Sequence, residues 1–125
     1  MYIVVKEKAR ISTSLYFYLV ESVRGPDGPR QKNIAYLGGI KQELQYDFFA
    51  GGLFWKKFLE VFTFQMAIHH IAREKQEELI SLVEFYVPLD RGLIDSLWKV
   101  AEIEAANLAA MRERIMSEPE LTMPD

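Results

Sequence analysis

The chain contains no cysteine, which excludes disulfides, thiolate metal ligands and a cysteine nucleophile. Histidine is nearly as scarce, with His69 and His70 the sole examples. Neighbours on a helix point about 100° apart and do not share a metal ion easily. His70 with Glu74, four apart, could share one with Glu77 or Glu78 nearby, but zinc takes three or more protein ligands and no HExxH pattern is present, so surface or half-buried histidines are the expectation. Gly38-Gly39 and Gly51-Gly52 lack the strand-to-helix fingerprint of a phosphate loop. Ser12, Thr13 and Ser14 have no histidine or acid spaced to activate them. No catalytic residue, metal site or cofactor is therefore expected, and the chain reads as a non-enzyme. Long apolar runs are missing as well. The longest uncharged stretch of the apolar centre is 12 residues, 61–72, against the roughly 18 that mark a membrane span. The opening MYIVVKEKAR lacks the basic start, apolar run and small-residue cleavage site of a signal peptide. A cytoplasmic protein with no membrane span is the expectation.

Net positive charge is absent too. The formal net charge is −3, which by itself argues against a general nucleic-acid binder. Its distribution points elsewhere. Residues 1–41 hold seven basic side chains (Lys6, Lys8, Arg10, Arg24, Arg30, Lys32 and Lys41) and three acidic ones (Glu7, Glu21 and Asp27), a balance of +4 that leaves −7 for the remainder. Such a split describes one end that meets anions and an acidic, solvated body.

Half of the 125 residues are hydrophobic and 26% are charged, which suits one globular domain with a modest core. The branched run at 2–6 reads as a first strand and residues 9–14 as a polar loop. Residues 16–23, aromatic and branched, read as a second strand. Gly25-Pro26-Asp27-Gly28-Pro29 is a turn, since proline presets φ and glycine accepts the left-handed region. Residues 30–37 read as a third strand that Gly38-Gly39 ends. Beyond Lys41 the pattern is helical: a short helix over 41–49, a break at Gly51-Gly52, then 53–64 and 66–87 as two helices divided near Thr63 or as one. Pro88 closes that region and Asp90 caps a last helix reaching about Met116. Its Ile94, Ala101, Leu108 and Ile115 recur every seven residues along one face, a stripe that Glu104 interrupts. The tail from Ser117, with two prolines, is expected to be disordered. The fold class is thus α+β: a three-stranded antiparallel β-meander over 1–40, then a helical body over 41–116 made of a helical hairpin and a long C-terminal helix.

A three-residue loop at Pro26-Asp27-Gly28 would set Arg24 opposite Arg30, Ser22 opposite Lys32, Val20 opposite Ile34 and Tyr18 opposite Tyr36. Those side chains would share one face, basic at its tip and aromatic at its base. The other face would carry Phe17, Leu19, Ala35 and Leu37 as core. Two facing arginines repel unless an anion lies between them, and a phosphate backbone supplies one. A two-stranded ribbon also matches the major groove. The competing explanation is a solvated hairpin whose charges block edge-to-edge pairing. The register decides between faces, because a one-residue slip exchanges them. Trp55, Trp98 and the aromatic run Phe48, Phe49, Phe54, Phe58, Phe62 and Phe64 read as core or as a helix interface, and a homodimer through the helical region is an expectation of that surplus.

The blocks Tyr18-Leu19-Val20-Glu21-Ser22, Arg24, Arg30-Gln31-Lys32 and Ile34-Ala35-Tyr36-Leu37-Gly38 resemble the N-terminal hairpin segment of insertion-sequence transposases of the acidic-triad type. They also resemble a set of short bacterial proteins that carry the same hairpin before a helical tail. The likeness spans about a fifth of the chain. It implies a mobile-element setting and a hairpin that contacts duplex DNA through Arg24, Arg30, Gln31 and Lys32. Tyr18, Tyr36, Lys6, Lys8 and Arg10 join them as candidate DNA-contacting residues. Those transposases set three separated carboxylates on a mixed α/β core, and the residues after Gly39 read as helical, with no such core. The expected function is a non-enzymatic DNA-binding or accessory protein of a mobile element. The alternative is a protein-interaction or inhibitor module whose acidic helical body binds a partner.

Overall fold

In the computed structural model, residues 1–9 and 13–117 are described. The order is β1 (Tyr2–Ala9), β2 (Thr13–Gly25), β3 (Gly28–Lys41), a 3-10 turn at Gln42–Leu44, α1 (Phe48–Ile68), α2 (Arg73–Tyr86) and α3 (Arg91–Ser117). The strands form an antiparallel meander, β1-β2-β3, and the helices cover one of its faces, so the fold is α+β. The end of the chain beyond Ser117, expected to be a disordered tail, lies outside the described residues, as does Arg10. Ser117 itself closes α3.

Alternation along β2 explains the layering. Leu15, Phe17 and Leu19 are buried, at 2%, 0% and 0% exposure, and point to the helices with Ile3, Leu37 and Ile40. They meet the apolar face of α1, where Phe54, Trp55, Phe58, Leu59 and Phe62 recur at helical spacing and are buried. Phe17 packs on Phe54 with ring centroids 5.1 Å apart, and Phe58 stacks on Phe62 at 5.3 Å. Trp55 and Trp98 are fully buried; at roughly 200 Å² each, they contribute about 5 kcal/mol apiece of transfer free energy. The Trp55 indole N–H donates to the Val87 carbonyl at 2.8 Å, so its burial leaves no donor orphaned. Among α1's aromatics, Phe48 and Phe49 depart from the expected core and are exposed at 70% and 74%. They occupy the first turn of α1, next to its Asp47 cap, before the helix reaches the sheet.

Three expected boundaries move. Residues 41–49 do not form one short helix; a 3-10 turn follows β3, and Asp47 then starts α1 by accepting the Ala50 N–H at 2.8 Å. Gly51-Gly52 does not break the chain but lies inside α1. Two glycines cost a helix about 1 kcal/mol each, which the buried aromatic face outweighs. Gly51 is buried beside the α2–α3 linker, where a Cβ would meet Val87 at an ordinary contact distance of 3.7 Å. The division between helices falls at His69-His70, not at Thr63. His70 adopts φ 53°, the His70 N–H donates to the Ala67 carbonyl, and the Ile71 N–H donates to the Met66 carbonyl. That pair of bonds is a Schellman closure with histidine where glycine is usual. Thr63, within α1, instead bonds back to the Leu59 carbonyl and reaches the Ala101 carbonyl at 3.3 Å, tying α1 to α3.

Arg91 joins α2 to the start of α3. Its guanidinium bonds Glu77 and Glu84 of α2 and lies 3.2 Å from Asp95. Arg73 bonds Glu102 and sits 3.5 Å above the Trp98 ring centroid, sealing the core with a cation–π contact. No helix among the described residues is long and apolar enough to cross a membrane.

Candidate nucleic-acid interface

With the helices on one face of the sheet, the opposite face stays open. By alternation it carries the even-numbered residues of β2 and their partners: Lys6 opposite Tyr16, Val4 opposite Tyr18, and Lys8 opposite Ser14 from β1. From β3 it receives Lys41 opposite Ser14, Gly39 opposite Tyr16 and Tyr36 opposite Tyr18. Three tyrosines therefore cluster. Tyr18 and Tyr36 have centroids 5.4 Å apart, and Tyr16 and Tyr36 6.4 Å. The Lys6 ammonium lies 5.0 Å from the Tyr18 ring centroid and that of Lys8 5.7 Å from Tyr16. Such contacts contribute about 0.5–1 kcal/mol at exposed sites and lay the cations over the rings.

Glycine makes the cluster possible. A Cβ on Gly39 would lie 2.8 Å from the Tyr36 hydroxyl oxygen, 2.9 Å from a Tyr16 ring carbon and 3.2 Å from the Leu15 carbonyl. Both rings thus fold over bare backbone. Ser14, Tyr16, Tyr36, Gly39 and Lys41 border a shallow depression of about 250 Å³ there. Burial, then the neighbouring Tyr18 and Tyr16, push the Tyr36 phenol above its ordinary value. Tyr36 is therefore a neutral O–H donor at physiological pH.

The signs of charge sort by face. Lys6, Lys8, Lys41 and Arg24 lie on the open face, while the two strand carboxylates, Glu7 and Glu21, pair with Leu15 and Lys32 and turn to the other. Among the described strand residues, no carboxylate shares the open face with the four cations. The face extends along β2 from Ser14 to Arg24, with Val20 buried midway, roughly 33 Å at about 3.3 Å per residue, close to one turn of a DNA duplex.

Beyond Val20, where β1 ends, residues 21–33 continue as a two-stranded arm. Its register differs from the expected one. Gly25 faces Gly28, Arg24 faces Pro29, Val23 faces Arg30, Ser22 faces Gln31, Glu21 faces Lys32, and Val20 faces Asn33. The turn is thus one residue tighter than expected, with Pro26 and Asp27 at the corners and Gly28 at φ 109°. Register irregularities at Phe17/Tyr18 and Leu19/Val20 each add a residue to β3, so Tyr18 meets Tyr36 as expected while Phe17 meets Gly38 rather than Leu37. Gly38, at φ 144°, carries the bulge and does not end the strand.

The slip separates the basic tip. Arg24 stays on the open face with Tyr18, Tyr36, Lys6 and Lys8, and Gln31, which the expected register turns to the other face, lies opposite Ser22 and joins them. Arg30 and Lys32 turn to the opposite face, where Arg30 bonds Asp27 at 3.0 Å and Lys32 faces Glu21. The expected Arg24–Arg30–Lys32 surface is corrected accordingly: two of its cations lie on the other face, one of them, Arg30, paired with Asp27. Tyr16 and Lys41 belong to the open face and were missed. Tyr16 was legible from its two-residue spacing to Tyr18; Lys41 was not, because Gly38-Gly39 reads as the end of the strand. His69 and His70 lie at the exposed end of α1, and no cluster of metal-ligating side chains is found among the described residues. No protein-family model matches the chain, nor does any curated protein or solved structure.

Proposed function

We propose that the protein is a non-enzymatic DNA-binding protein that docks on the duplex through the open face of its sheet and the hairpin arm. The observation that carries this reading is the segregation of charge: four cations and a tyrosine cluster share a face without a carboxylate, in a chain that is acidic elsewhere. Lys6, Lys8, Lys41 and Arg24 would neutralise phosphates, and the tyrosine hydroxyls would donate to the same oxygens. Gln31, beside Arg24 on the arm, is the side chain suited to reading a base edge, since an amide pairs with adenine in the major groove. The acidic body would keep the rest of the surface off the duplex and orient the sheet toward it. The likeness of the hairpin to insertion-sequence transposases supports an accessory role in a mobile element.

The test compares the two faces. Labelled duplex and single-stranded DNA of equal length are titrated at low salt with the wild type, a Lys6→Ala/Lys8→Ala/Arg24→Ala/Lys41→Ala variant and an Arg30→Ala/Lys32→Ala variant. The first variant should lose about a hundredfold or more in affinity, the second less than about tenfold. Tighter binding of the single strand would replace the groove geometry by a stacking platform on the tyrosines. Absence of binding by the wild type would remove the reading. It would leave the second one, a protein-interaction or inhibitor module, which the exposed apolar flank of α1 and α3 favours.

A further inference from the structure

Alternation of helical faces places Ile94, Trp98, Ala101 and Ala105 of α3 in the core, but the distal half of the helix has no such cover. Val100, Leu108, Met111, Ile115 and Met116 are each more than half exposed. Leu108 borders a groove with Val61 and Phe64 of α1, flanked by Glu60 and Arg112. A neighbouring depression joins Glu104 to Val100 and Lys56, and another joins Arg112 to Met116 and Ile68. The apolar ridge is therefore continuous along α1 and α3. Glu104, the residue that interrupts the seven-residue stripe, sits one turn before Leu108; Arg112 sits one turn after it. Neither is in an ion pair within the described residues.

We infer that this ridge is covered by a second copy of the chain, packed antiparallel about a two-fold axis beside Leu108. A two-fold operation there brings Glu104 of each copy level with Arg112 of the other, so both charges are answered twice while Leu108 meets itself. A parallel arrangement would set Glu104 against Glu104. Leu108, Met111 and Ile115 lie within about 60° of one another around α3, so their exposed surfaces form one apolar strip that a helix of the second copy would cover. The sheet face proposed for DNA is the opposite one, so the dimer would present two DNA-docking faces. This inference shares the helical flank with the protein-interaction reading and does not depend on DNA binding.

Sedimentation equilibrium on the full chain without DNA tests it, at concentrations up to about 100 μM, far above a micromolar dissociation constant. The wild type should be a dimer. Glu104→Lys or Arg112→Glu alone should weaken it about tenfold or more, and the double reversal should restore it to within about threefold. Both positions are exposed, so circular dichroism should report an unchanged fold. A wild type that stays monomeric overturns the inference. So does a dimer indifferent to the single reversals, or one that the double reversal fails to restore.

Discussion

Replacing Gly39 by alanine should destabilise the protein, and the expected size follows from three distances. The new Cβ would lie 2.8 Å from the Tyr36 hydroxyl oxygen, 2.9 Å from the Tyr16 ring and 3.2 Å from the Leu15 carbonyl. Ordinary carbon contacts are about 3.5–4.0 Å, so both rings must give by more than half an ångström. Tyr36 is half exposed and its hydroxyl is the far end of the side chain, so it can swing outward. The Tyr16 contact is near the base of the ring and yields only by an off-rotamer turn, at about 0.5–1.5 kcal/mol. Loss of the Tyr16–Tyr36 contact adds about 0.5–1 kcal/mol. Against this, alanine restricts the unfolded chain and gains about 0.4–1 kcal/mol. The net expectation is a loss of about 1 kcal/mol. Gly52→Ala is the control: a Cβ there meets nothing within 4 Å, and the helix should gain about 0.5–1 kcal/mol. Urea denaturation at one fixed protein concentration, so that self-association does not confound the comparison, should separate the variants by about 2 kcal/mol. A Gly39→Ala protein as stable as Gly52→Ala would refute the packing of the tyrosines over bare backbone.

Other outcomes follow from the same contacts. Arg91→Ala removes the bonds to Glu77, Glu84 and Asp95 at once; because Arg91 is partly exposed, thermal melting should show a loss of about 1 kcal/mol that shrinks as salt is raised. His70→Gly should stabilise by about 0.5–1 kcal/mol, since the φ of 53° strains histidine and not glycine. Tyr36 has a folded pKa above its unfolded value of 10.0, held up by burial and then by Tyr18 and Tyr16. Its stabilising contribution is therefore complete below pH 10 and is lost as pH rises through the folded value. Denaturation curves should show the wild type losing stability relative to Tyr36→Phe above pH 10 and not below it.

Hydrophobic periodicity carried the strands and helices, because Phe17 and Leu19 alternate on β2 and Phe54, Phe58 and Phe62 recur on α1 wherever the chain meets the core. Glycine carried them less well. Gly51-Gly52 reads as a break on local propensity, yet the packing of the buried α1 face at Phe54, Trp55 and Phe58 holds it in a helix. The real break is at His70, which takes a left-handed conformation without the glycine that would announce it. Gly38-Gly39 reads as a strand end but is a bulge and a bare floor for two tyrosines, and Lys41 was lost with that reading. The hairpin register was the least legible feature. It depends on two extra β3 residues, Leu37, which is buried in the core, and Ile34, which packs partly buried against it; neither is announced by a pattern within the hairpin. A one-residue difference at the turn then sends Arg30 and Lys32 to the face opposite Arg24. Tyr18 and Tyr36 kept their place because the registers agree at Tyr18, while Lys6 and Lys8 are placed by the separate pairing of β1 with β2.

The salt dependence of duplex binding tests the central proposal most directly. Four cations on the open face, each releasing counterions on contact with phosphate, predict a slope of log K against log salt of about −3.6, or about a hundredfold weaker binding between 50 and 200 mM. The Lys6→Ala/Lys8→Ala/Arg24→Ala/Lys41→Ala variant should bring that slope close to zero, and Arg30→Ala/Lys32→Ala should leave it nearly unchanged. A wild-type slope near zero, or one that the open-face variant leaves intact, would contradict the account.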